Sequence, residues 1–218
     1  MRQDFFVVWS ERALLLNGLV NTIALSVVAT IAAVAFGMAL TLLLIAPRSN
    51  ARFLFIGFVD TMRCIPFLLF AYIVYYGLPS IGLNLNNWTA GLVALTIYNA
   101  AYMAEILRGA WMGLASDAID AGYAFGFTGL SHFRRIALPP LLLAAAPVVG
   151  NQVIQIVKDS AFLTVIALPE LTHAASSIQS RHYIPFAAFV TAVLLYWLLC
   201  LAIEATVACI GRVAEVRR

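Results

Sequence analysis

The order of apolar and polar residues divides the chain into five long apolar runs with short polar breaks. The first runs from about Leu19 to Ala46 and ends at a basic turn, Pro47-Arg48-Ser49-Asn50-Ala51-Arg52. The second runs from about Phe53 to Leu78 and is interrupted by Asp60, Arg63 and Pro66. A neutral loop over 79–88 ends on Trp88, and the third run, about Thr89 to Gly113, holds Glu105 and Arg108. Residues 114–137 form the longest polar stretch. The fourth run spans about Leu138 to Val157 and the fifth about Ile184 to Ile210, with a mixed segment around Pro169 between them. Each run supplies the roughly 20 residues that a helix needs to cross about 30 Å of hydrocarbon. The pattern predicts an all-α integral membrane protein of about five transmembrane helices, with residues 1–218 forming a single domain. Residues 1–16 mix charge with Phe5, Phe6 and Trp9, and Glu11 and Arg12 interrupt the run a signal peptide would need. That segment is expected to lie along the membrane interface.

Composition supports the membrane assignment. Of 218 residues, 63% are apolar and 11% charged, against roughly 25% charged in a soluble domain. So few charges cannot coat a water-soluble globule of this size. The basic residues are 12 Arg and one Lys, Lys158. Lys158 follows Val157, so no Gly-Lys-Ser/Thr phosphate loop can form. His-Glu-x-x-His and Gly-x-Ser-x-Gly are also absent. Cys64, Cys200 and Cys209 lie in apolar stretches without paired spacing and are expected to be reduced and buried. The net charge of +3 fits loop bias rather than nucleic-acid binding. Arg48, Arg52, Arg108, Arg134, Arg135 and three Arg in the tail share one side of a five-span topology. The positive-inside rule then puts the 114–137 loop and C-terminus in the cytoplasm and the N-terminus outside. No internal repeat is evident, which argues against a complete secondary transporter.

Polar groups inside the spans carry the candidate chemistry, because each ionisable one costs roughly 2.5–3.5 kcal/mol to insert. Gln152, Gln155 and Asp159 stand at i, i+3 and i+7 on one helical face, with Asn151 and Lys158 nearby. Such a stripe at the end of a span suits the ammonium and carboxylate of a small zwitterion. The same amides can instead bond a neighbouring helix or a partner subunit. Asn99 is open to both roles. Lys158 and Asp159 are adjacent and point about 100° apart, so Lys158 is expected to snorkel or meet a helix end. Asp60 with Arg63, and Glu105 with Arg108, stand at i, i+3 and can each neutralise themselves or act in gating. Pro66 should kink its helix. His132, His173 and His182 fall in loops with no metal-ligand spacing. No catalytic or metal site is expected.

The 114–137 loop is far longer than a turn requires and has helical character. Ser116 or Asp117 can cap the start of a helix that carries Ile119 and Tyr123 on one face, Gly126 ends or bends it, and Leu130 to Ile136 offers a second. Its pattern Asp120-Ala121-Gly122, Gly126 and Ile136-x-Leu138-Pro139 resembles the "EAA" loop of permease subunits of ABC importers. Members of that family usually read Glu-Ala-Ala, so Asp120 is shorter and Gly122 smaller than usual. Other segments resemble the polar amino acid permeases of that family, the histidine, glutamine and arginine permeases among them. These are Leu15-Leu16-x-Gly18-x-x-x-Thr22, Arg63-x-x-Pro66, Glu105-x-x-Arg108-Gly109-Ala110, Lys158-Asp159-Ser160-Ala161 and Pro169-Glu170-Leu171. Ala161 departs from the usual pattern.

The resemblance implies a type I importer permease in the bacterial inner membrane. Its loop would be a coupling helix docking on ATP-binding cassette subunits. Those subunits would hold ATP and Mg; this chain would bind no cofactor. A second permease subunit, same or sister, and a periplasmic substrate-binding protein would complete the assembly. Gln152, Gln155, Asp159 and Asn99 would line the substrate site, and Arg63, Pro66, Glu105, Arg108 and Lys158 would serve structure or gating. The rival classes are a small intramembrane enzyme, which needs a nucleophile and base at matched depth, and a non-transporting membrane scaffold.

Overall fold

The computed structural model describes residues 2–45 and 50–216. Residues 46–49, which include Pro47, Arg48 and Ser49 of the basic turn, and Arg217 and Arg218 lie outside the described residues, as do the side chains of Asn50, Ala51 and Arg212. Every regular element among the described residues is helical.

Helix α1 (Arg2–Ser10) leads directly into α2 (Arg12–Ile45). The first spanning helix therefore starts seven residues before the expected Leu19. The charges at its start explain this, since they have partners. Glu11 lies 3.3 Å from His182 Nε2 and 3.9 Å from Arg181, and the Arg12 guanidinium stands over the Trp9 ring. Down α2, Gly18, Thr22, Ser26, Ala29, Ala33, Gly37 and Thr41 are buried at steps of three or four, a single stripe of small residues. That stripe lets α2 lie close along α5 (Asn87–Met112). At Gly37 a Cβ would stand 2.5 Å from Met103 Cβ, so only glycine fits. The Thr41 hydroxyl reaches the carbonyls of Gly37 at 2.8 Å and Ala104 at 3.1 Å.

The second apolar run is broken rather than kinked. Helix α3 (Asn50–Cys64) stops, and α4 (Phe67–Tyr72) restarts at 108° to it, prolonged by a π turn over Ile73–Gly77 and a 3₁₀ turn over Leu78–Ile81. Pro66 has no N–H and is extended (φ −68°, ψ 135°). The freed carbonyls find donors on α5: the Tyr98 hydroxyl donates to Ile65 O (3.1 Å) and Tyr102 to Arg63 O (3.3 Å). A kink can become a break because these hydroxyls stand ready to satisfy the open backbone. Four helices are long and apolar enough to cross a membrane, five with this bent pair counted as one span.

Asn86 caps α5 by accepting from Thr89 N at 2.8 Å. The polar loop holds α6 (Ser116–Ala124) and α7 (Gly129–His132). Ala115, not Ser116 or Asp117, occupies the cap position, and Gly126 turns the chain with φ +82°. A π turn over Phe133–Ala137 joins α7 to α8 (Leu138–Ser160) without interruption. Pro139 and Pro140 at the start of α8 cannot donate backward, and the wide turn before them absorbs that loss.

After α8, a 3₁₀ turn (Ala161–Ile166) leads to α9 (Leu171–His182) and then α10 (Pro185–Val216). The mixed segment 158–183 is thus a packed element. Leu171, Ala174, Ala175 and Ile178 of α9 are buried with Leu15 of α2 and Ala187, Ala188 and Ala192 of α10. His132, His173 and His182 all lie in helices, not loops. Cys64 and Cys209 are exposed and Cys200 half-buried, all three unpaired, so the expected burial fails. An apolar run does not tell which side of a helix meets protein and which would meet lipid.

Candidate functional site

The polar stripe of α8 meets α5. Asn99 is fully buried; it donates to Leu95 O at 3.0 Å and accepts from Gln152 Nε2 at 2.7 Å. One turn further along α8, Gln155 Nε2 donates to Asp159 Oδ1 at 2.8 Å. Gln155 is exposed and Asp159 is buried. The Asn99 amide neighbours this carboxylate, yet Asp159 Oδ2 accepts no hydrogen bond from the described residues. A buried carboxylate oxygen left open is costly unless something else donates to it. The four polar residues expected to share a site therefore come together, as two bonded pairs beside one open acceptor. Phe67 packs edge-on against Tyr98 at 5.2 Å, and Phe162 lies 6.4 Å from Phe67. The proline break, through Tyr98, thus adjoins the stripe.

Lys158 points elsewhere. It is exposed and lines a groove of about 560 Å³ between α8 and α10 with Asn151, Tyr196, Cys200 and Glu204. The two expected ion pairs merge into one chain of charges. Arg108 grips Glu105 with two donors at 2.6 and 2.8 Å. Arg63 lies 3.9 Å from Glu105 and 4.0 Å from Asp60, so it ties α3 to α5 across the helices. Asp60, Glu105, Arg108 and Arg52 line a cleft of about 230 Å³. Among the described residues, no cluster of three metal-ligating side chains occurs.

Two sequence segments about 150 residues apart meet at the other end of α2. Gly18 lets Leu171 and Ala174 approach so closely that a Cβ would stand 3.0 Å from each. The Thr22 hydroxyl accepts from Leu171 N (3.1 Å), and Asn21 Nδ2 donates to Pro169 O (2.7 Å). At the centre sits Glu170, fully buried. Its carboxylate accepts from Thr172 N and His173 N (both 2.7 Å) and from the Tyr196 hydroxyl (2.6 Å). It caps α9 and ties that helix to α10. Burial pushes the Glu170 carboxyl above its ordinary range, and the bonds from Tyr196 and the backbone offset this only in part. The signal for this residue was available: Pro-Glu ahead of a helix places a carboxylate where N-cap residues stand.

The loop residues divide by exposure. Asp120, Ala121, Gly126 and Pro139 are exposed, Leu138 is half-buried and Gly122 is buried. Tyr123 (54% exposed), Phe125 (83%) and Leu130 (69%) present apolar surface.

Spanning helices around a partly buried polar stripe, with a two-helix polar loop at one end, describe a membrane permease. The chain belongs to the family of binding-protein-dependent transport system inner membrane components, whose profile matches residues 33–212. A probable glutamine ABC transporter permease protein of Bacillus subtilis is 29% identical over 198 residues, covering 91% of this chain and 92% of that protein. An octopine transport system permease protein of Rhizobium radiobacter is 34% identical over 155 residues, 66% of this chain and 65% of that one. A crystal structure of an amino acid ABC transporter solved with histidines superposes with a TM-score of 0.88 at 26% identity, covering 95% of this chain and 97% of that chain. The inward-facing methionine ABC transporter gives a TM-score of 0.81 at 21% identity over 93% and 97% of the chains, which speaks for the fold alone. The chain is an inner-membrane permease subunit of an ABC importer.

Proposed function

We propose that this permease moves a polar amino acid or similar zwitterion and binds it at the junction of α5 and α8. The observation that carries this is the open oxygen of buried Asp159, set beside the amides of Asn99, Gln152 and Gln155. A carboxylate with one free acceptor offers an ammonium group a charge-assisted bond. Exposed Gln155, one of whose amide protons is held by Asp159, offers its second N–H and its carbonyl to a carboxylate or to water. Gln152 is uncharged, so the stripe demands no charged side chain on the substrate. Much of the selectivity then falls to the substrate-binding protein.

The chain itself is a translocation subunit without catalysis. ATP and Mg belong to partner ATPase subunits, because no Gly-Lys-Ser/Thr loop exists here. Those partners dock on α6, which carries Asp120, Ala121 and Gly122 and ends before Gly126. A second permease, same or sister, completes the pathway. The N-terminus is periplasmic and the C-terminus cytoplasmic, an orientation supported by the Arg distribution. Alternating access follows when motion of α6 reaches α8, with Arg63, Glu105 and Arg108 bracing α3 against α5 and Pro66 marking the break where α3 and α4 can pivot.

The test is binding to the detergent-purified importer complex, by calorimetry, for the wild type and Asp159→Asn. The expected result is about tenfold weaker binding of a transported amino acid, from loss of one charge-assisted bond. Equal affinity in the variant would remove Asp159 from the site.

A further inference from the structure

We propose that His132 is a positioning residue that clasps the coupling helix α6 to the base of α8, and that Gly122 exists to admit it. The proposal rests on α6 being the coupling element. From α6 the chain passes through Gly126 (φ +82°) and enters α7 at Gly129 (φ +52°). Two left-handed glycines make this connection compliant, so motion of α6 would be absorbed there unless something else joins the helices. His132, only 3% exposed, is that joint. Its Nε2 stands 2.9 Å from Ile119 O, inside α6. Donation to that carbonyl requires a proton on Nε2. The ring stacks on Tyr123 with centroids 4.0 Å apart and planes 12° apart. It also fills the space over Gly122, where a Cβ would stand 2.8 Å from Nε2, 2.9 Å from Cδ2 and 3.1 Å from Ile136 Cγ1. One side chain thus engages three residues of α6.

The direction of transmission follows from the chain. His132 ends α7, and the π turn Phe133–Ala137 carries it into α8 without a break. Trp111, at the end of α5, packs 6.1 Å from Phe133 and steadies that turn. Asp159 lies some 20 residues up α8, about 30 Å at 1.5 Å per residue. The clasp also accounts for the departure from Glu-Ala-Ala: an alanine methyl at 122 would occupy the place the imidazole takes.

The test uses the complete importer in liposomes and measures substrate moved per ATP hydrolysed, with amide exchange of 117–124 alongside. His132→Ala should lower the transport ratio about fivefold and speed exchange in α6, while His132→Gln, which keeps a donor near Nε2, should recover most of both. Gly122→Ala should cost a similar factor beside His132 but little in the His132→Ala background, where the ring is gone. Equal Gly122→Ala losses in both backgrounds, or wild-type coupling in His132→Ala, would overturn the clasp. Phe125→Asp, on the exposed tip of α6, separates the two ideas. If it leaves coupling unchanged, α6 is not the docking element and transmission through His132 falls with it. If it uncouples while the His132 variants do not, docking stands and the clasp alone fails.

Discussion

Glu170→Ala should be the most damaging single truncation outside the membrane spans. The wild-type carboxylate accepts three hydrogen bonds of 2.6–2.7 Å from complete burial. Removing it strands two backbone N–H groups at the start of α9 and leaves the Tyr196 hydroxyl only its 3.1 Å bond with Thr172 Oγ1. Bonds to a charged group contribute roughly 1.5–3 kcal/mol each, but water can re-enter and relaxation recovers part, so a net loss of about 3 kcal/mol is expected. At about 2–4 °C per kcal/mol for a chain of this size, Tm falls by about 6–12 °C. The assay is thermal unfolding of the detergent-purified protein followed by fluorescence-detected gel filtration. Tyr196→Phe removes one of the three bonds and should cost a third or less. The double variant should be less than additive, because the two groups share a bond. There is also a pH signature. The folded-state pKa of Glu170 is raised above the ordinary 4.5, so its protonated form favours folding. That contribution is complete below pH 4.5 and is lost as pH rises through the folded value. The wild type should therefore lose ground relative to Glu170→Gln as pH rises through that window. A Glu170→Ala protein melting within 2 °C of wild type would refute the anchoring role.

Further expectations follow from single contacts. Gly150→Leu should separate α8 from α10, since even a Cβ would stand 2.5 Å from Val207 Cγ1; overpacking of this kind costs about 1–3 kcal/mol, and Val207→Ala should restore part of the lost Tm. Gly126→Val should impair loop function through its backbone alone, because nothing lies within 4 Å of a Cβ there while φ is +82°; Gly126→Asn should be milder, and equal transport activities for the two would count against the conformational cause. Tyr98→Phe with Tyr102→Phe should strip both donors from the break after Cys64, costing about 1 kcal/mol each; limited proteolysis near 64–67 should then speed up, and unchanged cleavage would mean the break holds without them.

The five runs were legible because membrane thickness sets their length, and length survives without any knowledge of contacts. Likewise Gly126, with its φ of +82°, was readable as a helix stop from residue type alone. What escaped depended on partners distant in sequence. The change at Pro66 from kink to 108° break depends on hydroxyls of Tyr98 and Tyr102 more than thirty residues away. Helix α9 escaped because Thr172, His173, Ser176 and Ser177 dilute its apolar face, and burial against α2 and α10 overrides that composition. Gly18 and Glu170 were visible as separate motifs, but their meeting is a fact of packing. His132 looked like an ordinary polar residue because what it fills is the missing side chain of Gly122.

The proposed function is ATP-driven import of a polar amino acid through a site that includes Asp159. The direct measurement is uptake by liposomes holding this permease with its ATPase and substrate-binding protein, across a panel of radiolabelled polar amino acids. Saturable, ATP-dependent uptake of at least one of them is expected, with the half-saturating concentration raised about tenfold by Asp159→Asn. A complex that hydrolyses ATP in response to its binding protein, yet accumulates none of the panel, would contradict it.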